Sequence, residues 1–383
     1  MIVKGQKIYT KEGFFRSGQL KIQDGKIAKV LLGDGTGAIC TEDAEVIDVQ
    51  GKYVLPGLVD IHFHGCRGVD FCDGTKEAMD TICAYELEQG ITAIVPATMT
   101  LSLEELSHIF EAAGKYRESK GSTLYGITME GPFVSMAKKG AQNGAYIQKP
   151  DVNFYRQMQE LSGGMIRQVA VAPEEDADYA FIREVSKETV ISVAHTTADY
   201  DTARNAFLNG ANHVTHLFNA MPGFLHRDPG VVGAAAENDK VYVELICDGV
   251  HIHPAMVRAM FALFGSKRIC MISDSMMATG MEAGSYTLGG QAVQVVGKKA
   301  TLSDGTIAGS ASNLMDCLRV AVQEMGIPLE EVVRSCTLTP AVSLGIDADC
   351  GSIEEGKRAD FIVLDDDLHL CMVIKDGKIV KNE

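Results

Sequence analysis

The sequence has no apolar run approaching the roughly 18 residues that a helix needs to cross a bilayer, so no membrane partner is expected. Its ten cysteines include no CxxC pair. Thiols scattered over a long chain read as free rather than as a disulfide framework, which suits a reducing cytosol. The opening segment "MIVKGQKIYTKEG" lacks the long apolar stretch and small-residue cleavage site of a secretory signal, and a cytoplasmic location is the expectation. Positive charge is also scarce: 35 Lys and Arg stand against 51 Asp and Glu, a formal net charge of -16. That balance disfavours nucleic acid, whose phosphates are bound by basic surfaces. An anionic ligand would need a local pocket of positive charge.

What is present is an ordinary globular composition, 46% hydrophobic and 22% charged over 383 residues. That length admits a large core or more than one domain. Eight apolar, β-rich runs can be read as strands: "VLPGLVDIHFHG", "ITAIVPATM", "TLYGITME", "IRQVAVAPE", "TVISVAHT", "NHVTHLF", "VYVELICDG" and "RICMISDS". Helical periodicity fills most of the gaps, as in "TKEAMDTICAYELEQG" and "HPAMVRAMFALFG". Alternating strands and helices imply a parallel sheet, and eight units predict an α/β fold of the (β/α)8 TIM-barrel type over residues 54–346. The two ends break the alternation. "IQDGKIAKV" near the start is echoed by "IKDGKIVKN" near the end, which places Asp24-Gly25 and Asp376-Gly377 in hairpin turns. Residues 1–53 and 347–383 are expected to form one small β-sandwich, with two unrelated hairpins as the alternative. The glycine-rich stretch from Met276 to Ala308 is read as a loop and hairpin after the eighth strand.

The ionisable residues gather at one end of these runs. His62 and His64 close the first, Glu130 the third, His195 the fifth, His216 the sixth and Asp274 the eighth, while His251 lies just past the seventh. In a parallel barrel those ends converge on the face that carries the chemistry. Residues i and i+2 of a strand share a face, so His62 and His64 would point together, as a chelate or by accident. Imidazole and carboxylate suit Zn²⁺ and other first-row divalent ions, and a catalytic zinc keeps a position for water and lowers that water's pKa. Asp274 is the candidate to move protons, the alternative being a helix N-cap. Asn219 and Ala220 follow His216 and could meet a polar substrate. His226 and Arg227, in "HRDP", read equally as an anion site or an ordinary turn. His251 could donate to an oxyanion. His253, beside Pro254 at an expected helix start, reads as structural, and His213 as facing away from His216.

Taken together, "PGLVDIHFHG", "MEGPFVSMAKKGAQN", "VAPE", "AHTTAD", "VTHLFNAMPGFLHRDPG", "CDGVHIHP", "ISDSM" and "DGTIAGS" resemble the N-acetylglucosamine-6-phosphate deacetylases of the amidohydrolase superfamily. The resemblance covers essentially the whole chain. It implies hydrolysis of the acetamido group of N-acetyl-D-glucosamine 6-phosphate, with Glu130, His195 and His216 on a principal metal and Asp274 as catalyst. It also implies substrate contacts from Gln142, Asn219, Ala220, His226, Arg227, His251 and the backbone near Ile307. The expected metal is Zn²⁺, with Fe²⁺, Mn²⁺ or Co²⁺ as alternatives, one or two per subunit, and His62 with His64 forms the second position. The phosphate-binding arginine of such enzymes can come from a neighbouring subunit, which implies a homodimer. Some members carry histidine where Gln142 stands. Three alternatives are weighed: an N-acetylgalactosamine-6-phosphate deacetylase, a cyclic-amide hydrolase, and an inactive scaffold. Cyclic-amide hydrolases such as dihydroorotases bridge two metals with a modified lysine, whereas the matching strand here ends in Glu130. An inactive scaffold would be expected to lack ligands.

Overall fold

The computed structural model describes residues 1–33, 39, 44–117 and 120–382. Both ends of the chain enter a single eight-stranded sheet. The N-terminal part supplies Ile2–Tyr9, Phe15–Gln23, Lys26–Leu32, Val46–Asp48 and Tyr53–Pro56. The C-terminal part supplies Phe361–Leu364, Leu370–Lys375 and Lys378–Asn382. The seam is an antiparallel pairing of Tyr53–Pro56 with Phe361–Leu364. Asp24 and Gly25 have φ of 52° and 74°, and Asp376 and Gly377 have 50° and 71°. Two consecutive positive φ values make the tight turn whose twist matches antiparallel strands. The two turns abut: the Ala359 N–H donates to the Gly25 carbonyl, and the Gly377 N–H to that of Ala359. They are parts of one sheet rather than unrelated hairpins. Val3, Leu20, Ile22, Ile27, Val54, Phe361, Val363 and Ile374 form its buried side, each contributing roughly 1.5–3 kcal/mol through burial.

Between the ends run parallel strands in eight successive positions. They are Leu58–Asp60, Ile91–Ile94, a third in two pieces (Thr123–Leu124 and Ile127–Met129), Ile166–Val171, Val190–Val193, His213–Val214, Tyr242–Ile246 and Ile269–Ile272. One piece of the third strand pairs with the second strand and the other with the fourth, so two arcs of sheet share it. Past the eighth strand, the Asp274 N–H donates to the His62 carbonyl at 3.0 Å, and the His64 N–H to that of Ser275 at 2.7 Å. Helices Lys76–Glu88, Leu103–Lys115, Val152–Leu161, Tyr200–Leu208 and Pro254–Phe264 alternate with the strands. Side-chain caps start them, as with Ser102 and Glu105, which each satisfy the other's backbone N–H. Val59, Ile61, Ala93, Val95, Ile246, Cys270 and Ile272 make an apolar cluster with Ala341 and Leu344, which lie in and just after the helix Leu338–Ser343.

Three expectations change. The run "VLPGLVDIHFHG" is two strands in two sheets, divided at Gly57, where a Cβ would sit 2.1 Å from Thr92 Oγ1. The strands also stop short of the polar residues: His62, His195, His216 and Asp274 each lie two residues beyond a strand end. Finally, the stretch after Asp274 is more than a loop and hairpin. It is a four-stranded antiparallel sheet, Gly284–Leu288, Gln291–Val296, Lys299–Thr301 and Ile307–Ser310, whose inner residues Leu288, Val293, Val295, Ala300 and Ala308 pack on Met99 and Met276. Of the ten cysteines, nine form no disulfide among the described residues and Cys40 lies outside them.

Candidate active site

The strand ends open into a cavity of about 520 Å³, lined among others by His64, Glu130, Lys138, Gln142, His195, His216, Asn219, Ala220, His251, Asp274 and Ile307. The local backbone puts the polar side chains there. His195, His216 and Asp274 take φ of 42°, 26° and 49°, a region that costs a non-glycine residue of order 1–3 kcal/mol. Leaving the strand conformation there ends the ladder and lets each side chain turn over the mouth. No helix starts at Asp274, so the capping alternative falls; the Ser275–Ser310 bridge and a turn follow it.

Glu130 is central. Its Oε1 lies 3.1 Å from His195 Nε2, 3.1 Å from His216 Nε2 and 3.6 Å from His62 Nε2. Its Oε2 lies 3.5 Å from His64 Nε2 and accepts from Gln142 Nε2 at 2.8 Å. The Nε2 atoms of His195 and His216 are 3.2 Å apart. Asp274 Oδ1 lies 3.3 Å from His64 Nε2 and 3.9 Å from His62 Nε2. Ligand atoms of His62, His64 and Asp274 all fall within 4.8 Å of one another, as do those of His62, Glu130 and His216. Around a tetrahedral zinc with bonds of 2.0–2.1 Å, neighbouring ligand atoms sit about 3.3 Å apart, close to the spacing of Glu130, His195 and His216.

Hydrogen bonding sharpens the fit. His195 Nδ1 is 2.9 Å from the Lys138 carbonyl. A carbonyl only accepts, so Nδ1 carries the hydrogen and the Nε2 lone pair faces Glu130. His62 Nδ1 likewise faces a carboxylate, Glu244 Oε2, at 3.1 Å. Lone pairs set against buried carboxylates repel unless a cation or proton lies between them. Among the described residues, the recorded ion-pair partners of Glu130, Glu244 and Asp274 are all histidines. Burial pulls the His62 imidazole down, but Glu244, Glu130 and Asp274 together raise its pKa to about 10. Burial pushes the carboxyls of Glu130 and Asp274 up, and the surrounding imidazoles more than reverse this, leaving both below the ordinary range. A pocket that holds protons this strongly is equally suited to a divalent ion.

The remaining predicted residues divide. Asn219, Ala220, His251 and Ile307 line the cavity. Gln142 does too, but its amide is spent on Glu130 and on the Thr100 N–H, which donates to Gln142 Oε1 at 2.6 Å. His226 and Arg227 are exposed, bonded to each other at 2.7 Å, and absent from the cavity lining. His253 caps the helix Pro254–Phe264 by accepting from the Ala255 N–H. Sequence reasoning missed two carboxylates. Asp248 Oδ2 lies 2.8 Å from His251 Nδ1, a pairing its spacing in "CDGVH" could have suggested. Glu244 contacts His62 and also His213, whose Nε2 lies 3.2 Å from Glu244 Oε1. His213 therefore stays out of the Nε2 cluster yet supports it from behind.

Such a cluster at the ends of parallel strands defines a metal-dependent hydrolase, and the profile described as "Amidohydrolase family" matches residues 53–380. The chain is 35% identical to the N-acetylglucosamine-6-phosphate deacetylase of Bacillus subtilis (strain 168), covering 99% of this chain and 96% of that one. It is 30% identical to the N-acetylgalactosamine-6-phosphate deacetylase of Escherichia coli O157:H7, over 99% and 98%. Among solved structures, a mutant of the Mycobacterium smegmatis N-acetyl-D-glucosamine-6-phosphate deacetylase, in complex with N-acetyl-D-glucosamine-6-phosphate, superposes with a TM-score of 0.92. It is 32% identical, over 100% of this chain and 99% of that one. The chain belongs to the amidohydrolase family and, within it, to the N-acetylglucosamine-6-phosphate deacetylases. It is an enzyme of a divalent-metal-dependent family. Among the described residues no helix is long and apolar enough to cross a membrane.

Proposed function

We propose that this cavity removes the acetyl group from N-acetyl-D-glucosamine 6-phosphate, giving D-glucosamine 6-phosphate and acetate. The observation that carries this reading is the Asp274 carboxyl held 3.3 Å from His64 beside the Glu130, His195 and His216 cluster. Glu130, His195 and His216 would hold a divalent cation, Zn²⁺ ahead of Fe²⁺, Mn²⁺ or Co²⁺, and His62 with His64 would form a second position. The bound ion supplies Lewis acidity to the acetamide carbonyl and lowers the pKa of water. Asp274 accepts a proton from the attacking water as its oxygen bonds to the acetyl carbon. His251, held at Nδ1 by Asp248, presents Nε2 to the developing oxyanion. Burial lowers the His251 pKa and Asp248 more than restores it, so the ring is favoured as a donor. Asp274 then returns its proton to the sugar nitrogen as the C–N bond breaks, because an amide anion is a poor leaving group.

Asn219, Ala220 and Ile307 face the sugar in this reading, and Gln142 steadies Glu130. His226 and Arg227 stand on an exposed loop; they meet the phosphate bound in a neighbouring subunit, which makes the enzyme a homodimer. The two parallel arcs close a (β/α)8 barrel over residues 54–346, the single sheet shared by the two ends folds over its own core as a small β-sandwich of residues 1–53 and 347–383 beside it, and the enzyme works in the cytoplasm.

The test is acetate release from N-acetyl-D-glucosamine 6-phosphate, its galacto epimer and the unphosphorylated sugar. The gluco phosphate should be turned over fastest. Faster turnover of the galacto epimer transfers the assignment to the activity for which the Escherichia coli relative is named. Asp274→Asn should lose about 10²–10⁴-fold in kcat, the usual range for a general acid–base group, while keeping its metal on Glu130, His195 and His216. Near-normal turnover in that variant would remove Asp274 from the mechanism.

A further inference from the structure

Glu244 sits within the seventh parallel strand, in the apolar run "VYVELI", and is fully buried. A carboxylate there is costly unless its lone pairs are met. Four groups meet it. Oε1 accepts from Gln168 Nε2 at 2.8 Å and lies 3.2 Å from His213 Nε2. Oε2 accepts from the His216 backbone N–H at 3.1 Å and lies 3.1 Å from His62 Nδ1. Glu244 is not part of the cavity lining; it stands behind the imidazoles. An ionised carboxylate 3.1 Å away disfavours a lone pair on Nδ1 even though the contact lies outside hydrogen-bond angles, so it favours the His62 tautomer with hydrogen on Nδ1 and leaves the Nε2 lone pair aimed between Glu130 and Asp274. The same carboxylate pins the backbone of His216 where φ is 26°.

We infer that Glu244 is a positioning residue that holds Nε2 of His62 as a ligand and so allows the chain to retain a second divalent cation between His62, His64 and Asp274. The inference rests on the metal-site reading above. A glutamine at this position has one acceptor oxygen and cannot serve both pairs, so Glu244→Gln should release either His62 or the Gln168–His213 side.

The experiment uses the full-length protein, wild type and Glu244→Gln, each stripped of metal and titrated with Zn²⁺. Ions bound per subunit, acetate release, and the ¹⁵N shifts of the His62 ring in the Zn²⁺-loaded protein are measured. Wild type should bind two ions and show His62 protonated at Nδ1. In Glu244→Gln, the weaker of the two affinities should fall at least tenfold while the tighter one holds. One ion per subunit in active wild type, or an unchanged weaker affinity in the variant, overturns the inference alone. If the variant does not fold, the wild-type ring decides: His62 protonated at Nε2 rejects the positioning role and Nδ1 upholds it. Wild type that binds metal but releases no acetate overturns the deacetylase reading instead, and leaves Glu244 to be judged by the affinities.

Discussion

Burial alone does not decide how a carboxyl behaves in this protein; its neighbours do. Glu130 and Glu86 are both almost fully buried. Imidazoles surround Glu130 and keep it ionised. Glu86, on the helix Lys76–Glu88, has no hydrogen-bond partner for either oxygen among the described residues. Burial first, and the Asp60 carboxyl second, push its pKa well above the ordinary 4.5. The folded state therefore binds this proton more tightly than the unfolded chain does. Below the ordinary value Glu86 costs nothing, and as pH climbs above it the folded state loses stability. Glu86→Gln removes that liability. Its melting temperature should exceed wild type by a few degrees at pH 8 and match it near pH 4, as read by calorimetry of the metal-loaded enzyme. An equal shift at both pH values would mean the gain came from packing rather than from ionisation.

At the scale of elements, the two Asp-Gly hairpins show how a local signal becomes tertiary structure. A Cβ at Gly377 would lie 2.6 Å from Cγ2 of buried Ile22, and its φ is 71°. Gly51 has a comparable φ of 79° but nothing within 4 Å. Gly377→Ala should thus cost more than Gly51→Ala, about 1–3 kcal/mol against about 1. Denaturant unfolding of the two variants checks the ordering, and equal losses would mean Ile22 moves aside freely. These turns were legible because Asp-Gly between alternating runs fixes backbone geometry by itself. The helices were legible through their 3.6-residue periodicity, and one also through the proline at position 254. The points where strands stop were not. Positive φ at His195, His216 and Asp274 is imposed by tertiary contacts, such as the Ser135 N–H donating to the His195 carbonyl and Glu244 holding the His216 N–H. Glu244 was hidden because one acid in "VYVELI" reads as the polar side of a strand; only the fold puts His62 and His213 against it. The sheet over Gly284–Ser310 was partly hidden for the opposite reason, since its glycines suggest a loop while "QAVQVV" alternates in burial as a strand does.

For the whole molecule the governing fact is charge. A chain with a net charge of -16 places the carboxylates of Glu130, Glu244 and Asp274 in one buried region beside imidazole lone pairs. Two long-range arrangements meet there: the mouth of the parallel strands, and the backbone bonds that set the end of the first strand beside the end of the eighth. A cation in that region would neutralise the carboxylates and cross-link segments more than 200 residues apart, as His62 is from Asp274. An ion that binds only the folded state stabilises it by RT ln(1 + [L]/Kd), about 2.7 kcal/mol at a hundredfold excess over Kd. Chelation should therefore lower the melting temperature by several degrees and Zn²⁺ should restore it. The change should depend little on salt, because buried charges are poorly screened. The control is the double variant His195→Ala, His216→Ala, which lacks two ligands of the principal position and should respond far less to chelator. A wild-type melting temperature that ignores chelator while acetate release disappears would place the metal's contribution in the chemistry alone. The imidazoles would then be held by the protein's own contacts, the Lys138 carbonyl on His195 and the Glu244 carboxylate behind His62.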